Sequence, residues 1–308
     1  MNKPKLAGLV AATHTPFDAN GSLNLATVEA QAAHLLRNSI HTAFIAGSTG
    51  ECHSLALAER LQLTQRWAEV SRGAPIQVAV HVGTNCLSDA KALARQAGDL
   101  GVAAIAALAP CYFRPRTLSG LIEWCAAIAA EAPETPFYYY DIPTLTGVSF
   151  PMVEFLDRAA DRIPTLRGIK FTSYDIFSYQ LSLNLDKEAF DVLWGADEAL
   201  LAALAVGARN AIGTSYNYAA PVYHRMLQAF RSGDWEQARQ EQYRIAQLIQ
   251  LFLRYGVLPA TKVLMGMLGV EVGPARPPLE NLTAEQQTPF RKDLETLGFF
   301  DWINSKKA

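Results

Sequence analysis

Val102-Ala103-Ala104-Ile105-Ala106-Ala107-Leu108-Ala109-Pro110 is a clean apolar run that begins just after an amphipathic stretch, Ser88 to Leu100, and precedes another, Ser119 to Ala130. The run has strand length and falls far short of the ~18 consecutive apolar residues of a membrane span. The same alternation recurs along the chain. Short apolar, β-prone runs occur at Gly8 to Ala12, Ala43 to Ser48, Ile76 to Val82, Val102 to Leu108, Pro136 to Ile142, Leu166 to Thr172, Val192 to Gly195 and Ala211 to Thr214. Helical patterns lie between them at Leu25 to Arg37, Ala58 to Arg72, Ser88 to Leu100, Ser119 to Ala130, Met152 to Ala160, Ser178 to Leu185 and Glu198 to Val206. Nearly continuous apolar strands, each followed by a helix, are the pattern of a parallel sheet covered on its faces. Eight such units predict a closed (β/α)8 TIM barrel.

After the eighth strand the pattern is helical only, at Val222 to Arg231, Trp235 to Tyr255, Thr261 to Leu268 and Ala284 to Leu297. Asp234 followed by Gln237 resembles a capping box, and Gly256 supplies a stop. Trp235, Ala238, Ile245, Ile249 and Phe252 recur at helical spacing, which predicts packing against the barrel or a subunit partner in preference to a cofactor groove. Pro274 to Pro278 is the only proline-dense stretch, and no Pro/Gly/Ser linker divides the chain. One domain over 1–308 is expected: the barrel over 1–220, with C-terminal helices over 221–308 packed on it.

Composition narrows the function classes. The chain has 308 residues, 27 Lys and Arg against 29 Asp and Glu, half its residues hydrophobic and 18% charged, which excludes a disordered or collagen-like chain. Without a Lys/Arg run there is no basic footprint for nucleic acid or an anionic membrane, so a small-molecule partner is expected. Cys52, Cys86, Cys111 and Cys125 have neither zinc-ligand pairing nor the density of a disulfide scaffold, which fits reduced thiols in a cytoplasm. Met1 to Ala7 contains basic residues without an apolar stretch behind them, so no leader is expected. His14, His34, His41, His53, His81 and His224 show no metal-ligand spacing, and no metal site is expected.

In such barrels active sites lie at the C-terminal ends of the strands. Lys170, within Leu166-Arg167-Gly168-Ile169-Lys170-Phe171-Thr172-Ser173, stands in an apolar strand. Desolvation there would favour a free amine able to attack a ketone, whereas a structural lysine would snorkel to the mouth or pair with an acid. Gly47-Ser48-Thr49-Gly50-Glu51 ends strand two with two hydroxyls and backbone N–H groups that can nest an anion, though most such turns merely connect elements. In Tyr138-Tyr139-Tyr140-Asp141-Ile142-Pro143, alternation puts Tyr138 and Tyr140 on one face and Tyr139 on the other. A luminal tyrosine near Lys170 could relay protons, or could simply pack. Trp194-Gly195-Ala196-Asp197-Glu198 places two carboxylates at the mouth, for a polyol, a metal, or capping of the next helix. Strand eight ends Gly213-Thr214-Ser215-Tyr216-Asn217, again with hydroxyls.

Gly47-Ser48-Thr49-Gly50-Glu51, Tyr140-Asp141-Ile142-Pro143-Thr144-Leu145-Thr146-Gly147 and Gly168-Ile169-Lys170, in this order and at these separations, resemble the N-acetylneuraminate lyase and dihydrodipicolinate synthase superfamily of class I aldolases. The resemblance spans nearly the whole chain and implies a barrel assembled as a homotetramer, acting on pyruvate and a sugar acid without a metal or organic cofactor. It implies Lys170 as the Schiff-base lysine, Tyr140 as the proton-shuttling tyrosine, and Ser48 and Thr49 as the carboxylate-binding pair. Leu145 stands where the synthases carry an arginine for a distal carboxylate, and a neutral side chain cannot make that contact. Thr172, Gly195, Asp197, Glu198 and Thr214 resemble the sialic-acid branch, where these positions contact a hydroxyl-rich tail. Tyr112 matches a tyrosine that reaches the neighbouring subunit's site. Asp141, where asparagine or histidine is usual, would add a possible negative charge near the site, and Thr214 replaces serine. The resemblance implies a lyase. A lysine-bound pyridoxal phosphate lacks a phosphate cradle here, and a silent binding relative would have little use for this intact set.

Overall fold

The structure is a computed structural model that describes residues 6–185 and 190–304. Lys3 and Lys5, which enter the leader argument, lie outside the described residues, as do the last four positions. Eight strands, β1 (Leu9–Ala12), β2 (Thr42–Ile45), β3 (Gln77–His81), β4 (Ala104–Leu108), β5 (Phe137–Asp141), β6 (Leu166–Phe171), β7 (Asp191–Trp194) and β8 (Ala211–Gly213), pair in chain order. All pairs are parallel, and β8 returns to β1 with Ile212 opposite Val10, which closes the barrel. Helices α1 (Thr27–Arg37), α2 (Leu57–Ser71), α3 (Leu87–Asp99), α4 (Leu118–Ala129), a short α5 (Pro143–Thr146), α6 (Met152–Ala160), α7 (Ile176–Leu183) and α8 (Leu200–Ala205) form the crossovers. The expected (β/α)8 barrel is present. β2 ends at Ile45, three residues early, because Ala46 turns to a φ of 53° and leaves the ladder.

Alternation along the strands sorts two cores. The larger, between sheet and helices, holds Tyr139, Ile169, Phe171, Val192 and Trp194. The luminal one holds Val10, Ala12, Phe44, Ala79, Ala106, Leu108, Tyr138, Tyr140, Leu193 and Ile212, so small alanines face large rings, as filling a narrow barrel requires. Tyr138 and Tyr140 share the lumen but occupy different layers. Tyr138 donates to Asp191 Oδ2 at 3.0 Å, at the start of β7, and so sits at the barrel floor. Tyr140, one turn of the pleat further along, sits toward the mouth.

The chain continues as α9 (Ala220–Ser232), α10 (Trp235–Tyr255), α11 (Val257–Met267), α12 (Ala284–Leu297) and α13 (Phe299–Asn304). Asp234 caps α10 by accepting from the Gln237 N–H at 3.0 Å, but the Gln237 side chain reaches Glu241 instead, so only half of a capping box forms. The complete box is Thr283 with Gln286, ahead of α12. Gly256 adopts φ 83° and turns α10 into α11 through 111°. α11 begins earlier than its pattern suggests because Pro259 falls in its first turn, where a missing N–H costs nothing. α10 buries Ala238, Ile245, Leu248, Leu251 and Phe252 and packs on α9 and on the single turn after β7, which brings it to the barrel mouth. Trp235 remains largely exposed. No single described helix is long and apolar enough to cross a membrane.

Candidate active site

Lys170 lies one residue before the end of β6, in register with Tyr140 of β5. It is 4% exposed, and its Nζ sits 3.9 Å from the centroid of the Tyr140 ring and 4.7 Å from that of Phe44. Among the described residues no carboxylate pairs with it and no acceptor takes a hydrogen bond from Nζ. Neither structural alternative from the sequence therefore applies: the amine does not reach open water, and it is not partnered by an acid. Aromatic faces stabilise an ammonium but leave its lone pair available once deprotonated.

The Gly47–Glu51 turn stands beside this amine. Ser48 Oγ lies 3.2 Å from Tyr140 Oη, and Thr49 Oγ1 lies 2.6 Å from Thr214 Oγ1. The turn is bounded by two left-handed non-glycine residues, Ala46 (φ 53°) and Glu51 (φ 56°). Such conformations persist where the surroundings over-determine them. Thr15 Oγ1 donates to Gly50 O at 2.6 Å, His81 Nδ1 donates to Ala46 O at 2.9 Å, and the Glu51 carboxylate accepts from Lys262 Nζ at 2.6 Å and from the Arg276 N–H at 2.7 Å. The C-terminal helices thus hold a loop of the barrel mouth in place. Sequence reasoning missed Lys262, Arg276 and His81. His81 carried the same signal as Lys170, a polar side chain closing an apolar strand; the other two act across more than 200 positions and had none.

Thr172, Gly195, Asp197, Glu198 and Thr214 meet around one cavity of about 700 Å³, lined on its far side by Ile249 and Leu253 of α10. Thr172 Oγ1 is buried there without a hydrogen-bond partner. Any Cβ at Gly195 would stand 2.1 Å from that oxygen, so only glycine lets β7 pass it. Asp197 Oδ2 accepts from the Ser215 N–H at 2.7 Å and from the Ser215 hydroxyl, so it braces the β8 loop. Helix capping by Asp197 is therefore not what the chain does: α8 begins after Ala199 with no side-chain cap. Burial, reinforced by the neighbouring Glu198 charge, pushes the Asp197 carboxyl up, against the pull of the Ser215 bonds. Glu198 accepts a hydrogen bond from the Tyr174 hydroxyl, a neighbour that the sequence did not single out. Among the described residues no three His, Cys, Asp or Glu side chains gather as metal ligands.

Three positions lie elsewhere. Tyr112 stands on the β4–α4 loop, 78% exposed with its ring against Phe113, outside the lumen of its own chain. Leu145 lies on α5, largely exposed, while Thr144 lines the cavity. Asp141 shares the outer face of β5 with Tyr139, so its charge does not enter the lumen, and burial pushes its carboxyl up to about 7. The negative charge anticipated near the site is thus moved behind the barrel wall.

A mouse N-acetylneuraminate lyase is 36% identical over 310 residues, covering 99% of this chain and 97% of its own. Among solved structures, the Proteus mirabilis N-acetylneuraminate lyase superposes with a TM-score of 0.93 at 36% identity, covering 96% of this chain and all of that one. A Ruminococcus gnavus sialic acid aldolase described as a catalytic lysine mutant superposes with a TM-score of 0.90 at 25% identity, with 96% of each chain covered. The family model for dihydrodipicolinate synthetases matches residues 5–297. A closed barrel whose mouth gathers an unpaired lysine, a hydroxyl-bearing turn and a carboxylate-lined cavity, matched along almost its whole length, makes this chain a member of the dihydrodipicolinate synthetase family.

Proposed function

We propose that the protein is a Schiff-base lyase that cleaves N-acetylneuraminate reversibly to N-acetylmannosamine and pyruvate. The observation that carries this is Lys170: a buried amine with no acid partner among the described residues, at a strand end, flanked by the Phe44 ring and by the Tyr140 ring whose hydroxyl meets Ser48. The amine of Lys170 adds to the C2 ketone of the open-chain acid and water leaves, giving a protonated imine. Ser48, Thr49 and the N–H groups of their turn bind the carboxylate. Tyr140 takes the C4 hydroxyl proton, directly or through that carboxylate, as the C3–C4 bond breaks. The electron pair of that bond passes into the imine as an enamine, and the aldehyde departs. Protonation at C3 and hydrolysis then release pyruvate and restore Lys170. Thr172, the Gly195 backbone, Asp197, Glu198 and Thr214 bond the polyol tail. Tyr112 completes the site of a neighbouring subunit in a homotetramer, and the four free thiols suit a cytoplasmic enzyme.

The mouse and Proteus lyases support the substrate, and the Ruminococcus aldolase, with its catalytic lysine, supports a lysine as the catalytic group. Borohydride reduction in the presence of pyruvate should fix a three-carbon adduct on the peptide containing Lys170, and N-acetylneuraminate should release pyruvate in a coupled assay. An unmodified Lys170 would refute the mechanism. Efficient condensation of pyruvate with aspartate semialdehyde, with no cleavage of the sugar acid, would refute the substrate assignment; Leu145 in place of an arginine argues against that outcome.

A further inference from the structure

His81 closes β3 and is fully buried between three elements of the barrel mouth. Its Nδ1 lies 2.9 Å from Ala46 O, and a carbonyl can only accept, so Nδ1 carries the proton. Its Nε2 faces the Leu108 N–H at 3.4 Å, which can only donate, so Nε2 carries the lone pair. Arg60 Nη2 also approaches Nδ1, at 3.4 Å, but the 2.9 Å contact to Ala46 O is the shorter and decides that nitrogen's role, so the contacts favour the neutral tautomer in which Nε2 keeps its lone pair toward the Leu108 N–H. The ring stands edge-on to Tyr140 with centroids 5.7 Å apart and an interplanar angle of 90°, and 6.3 Å from Phe44. These are the two rings that flank Lys170 Nζ. Behind it, the buried Arg60 donates to His81 O at 2.5 Å and to Gly83 O at 2.9 Å, which fixes the backbone that carries the imidazole.

From this geometry we infer that His81 is a positioning residue with two separable tasks: through Nδ1 it holds the left-handed Ala46 that launches the Ser48–Thr49 turn, and through its ring edge it orients the Tyr140 phenol. The inference rests on the lyase proposal for its readouts. A residue that served only the core would affect both halves of the site equally. A residue with two tasks can be split, because one substitution keeps the ring and another keeps the donor.

His81→Phe retains an aromatic edge against Tyr140 and loses the bond to Ala46 O. His81→Asn retains a short N–H donor for Ala46 O and loses the ring. With His81→Phe, the pyruvate concentration that half-saturates borohydride trapping on Lys170 should rise at least ~10-fold, while kcat for N-acetylneuraminate falls no more than a few-fold. With His81→Asn, that half-saturation should stay within ~3-fold, while kcat falls ~10- to 100-fold, in line with a misaligned acid–base group. Parallel losses in both variants, or native behaviour in both, would overturn the inference. A measurement on the unsubstituted protein stands in if either variant fails to fold. ¹⁵N-labelled imidazole resonances should report His81 as the neutral Nδ1–H tautomer, and an Nε2–H tautomer or an imidazolium at pH 7 would overturn it. If the native protein itself traps no pyruvate, the lyase proposal fails first, and the positioning role fails with it.

Discussion

Lys262→Met tests whether the C-terminal helices hold the catalytic turn through a buried ion pair. Lys262 Nζ lies 2.6 Å from Glu51 Oε1 with both side chains 1% exposed, donates to Pro274 O at 2.8 Å and sits 4.2 Å from the Phe17 centroid. Burial lowers the Lys262 ammonium to about 8 even though Glu51 pulls the other way, so desolvation outweighs attraction in this pair. Removing one partner of a buried pair leaves the other charge stranded and costs about 3–5 kcal/mol. With an unfolding entropy of roughly 2.1 cal/mol/K per residue, a chain of this length loses Tm by about 5–8 °C for that cost. Scanning calorimetry at pH 7 and fixed protein concentration reads this directly. Because the pair carries a desolvation penalty, Glu51→Gln combined with Lys262→Met should recover at least half of the loss. The native protein should also gain stability as pH rises from about 8 to 10.5, since over that window the unfolded chain holds the lysine proton and the folded chain has released it; Lys262→Met should lack this gain. A single variant within about 1 °C of native, or a double variant less stable than the single, would refute the reasoning.

Lys170→Ala should abolish trapping of pyruvate, whereas Tyr140→Phe should trap it normally and lose roughly 10²–10⁴ in turnover; near-full activity of Tyr140→Phe would reassign the proton transfer, with the exposed Tyr112 next in line if the proposed tetramer brings it to a neighbouring site. Glu198→Gln should lower kcat/KM for the long sugar acid far more than for short acceptors while leaving Tm within about 1 °C, a substrate ranking that a helix cap would not alter. Asp197→Asn should instead cost stability as well, because its Oδ2 braces Ser215. Asp141→Asn should change the pH dependence of stability: the folded carboxyl keeps its proton up to about 7 and the unfolded one releases it near 4, so native stability falls as pH rises across that window, and the Asn variant should gain on native above pH 7 but not at pH 4, as thermal melts across pH would register.

The barrel was legible because its signal is local and repeated: each strand is a short apolar run, each crossover a 3.6-period pattern, and eight of each leave few other solutions. Strand ends were less legible where a left-handed residue, as at Ala46, cuts the ladder without a glycine to announce it. Lys170 could be found from its strand, a cation near the end of an apolar run whose other cation, Arg167, lies at the start, and parity put Tyr138 and Tyr140 on one face while the resemblance chose Tyr140. The resemblance, not periodicity, singled out Thr49, Thr172 and Gly195, whose significance depends on approaches between strands: the Thr49–Thr214 bond joins positions 165 apart. Asp197 was recognised as a mouth carboxylate but assigned the wrong structural alternative, because capping is the local use of an Asp before a helix and its actual partner, Ser215, lies on the next strand's loop. Asp141 shows the same limit from the other side. Parity assigns it to the outer face with Tyr139, whereas its place beside Tyr140 suggested only a charge near the site.

The two halves of the mouth are built to different standards of rigidity. The half around Lys170 is interlocked: β2, β3 and β4 meet at His81, while the turn after β2 is tied to α11 through Glu51 and Lys262. The half around Asp197 and Glu198 faces an apolar wall of α10 across an open cavity. Hydroxyls join them. Thr49 and Thr214 lie 2.6 Å apart, and since each hydroxyl has one proton, one of the pair spends its proton on the other. Only one O–H of the two is then left to donate to a ligand. A carboxylate on the Ser48–Thr49 turn and a tail hydroxyl at Thr214 compete for that donor unless the tail hydroxyl supplies a proton of its own to Thr214. A sugar-acid tail can do so and an aldehyde without hydroxyls cannot. In the proposed lyase, a tail hydroxyl that donates to Thr214 leaves the remaining O–H of the pair to the carboxylate on the turn, so the two ends of the substrate bind without competing for one donor.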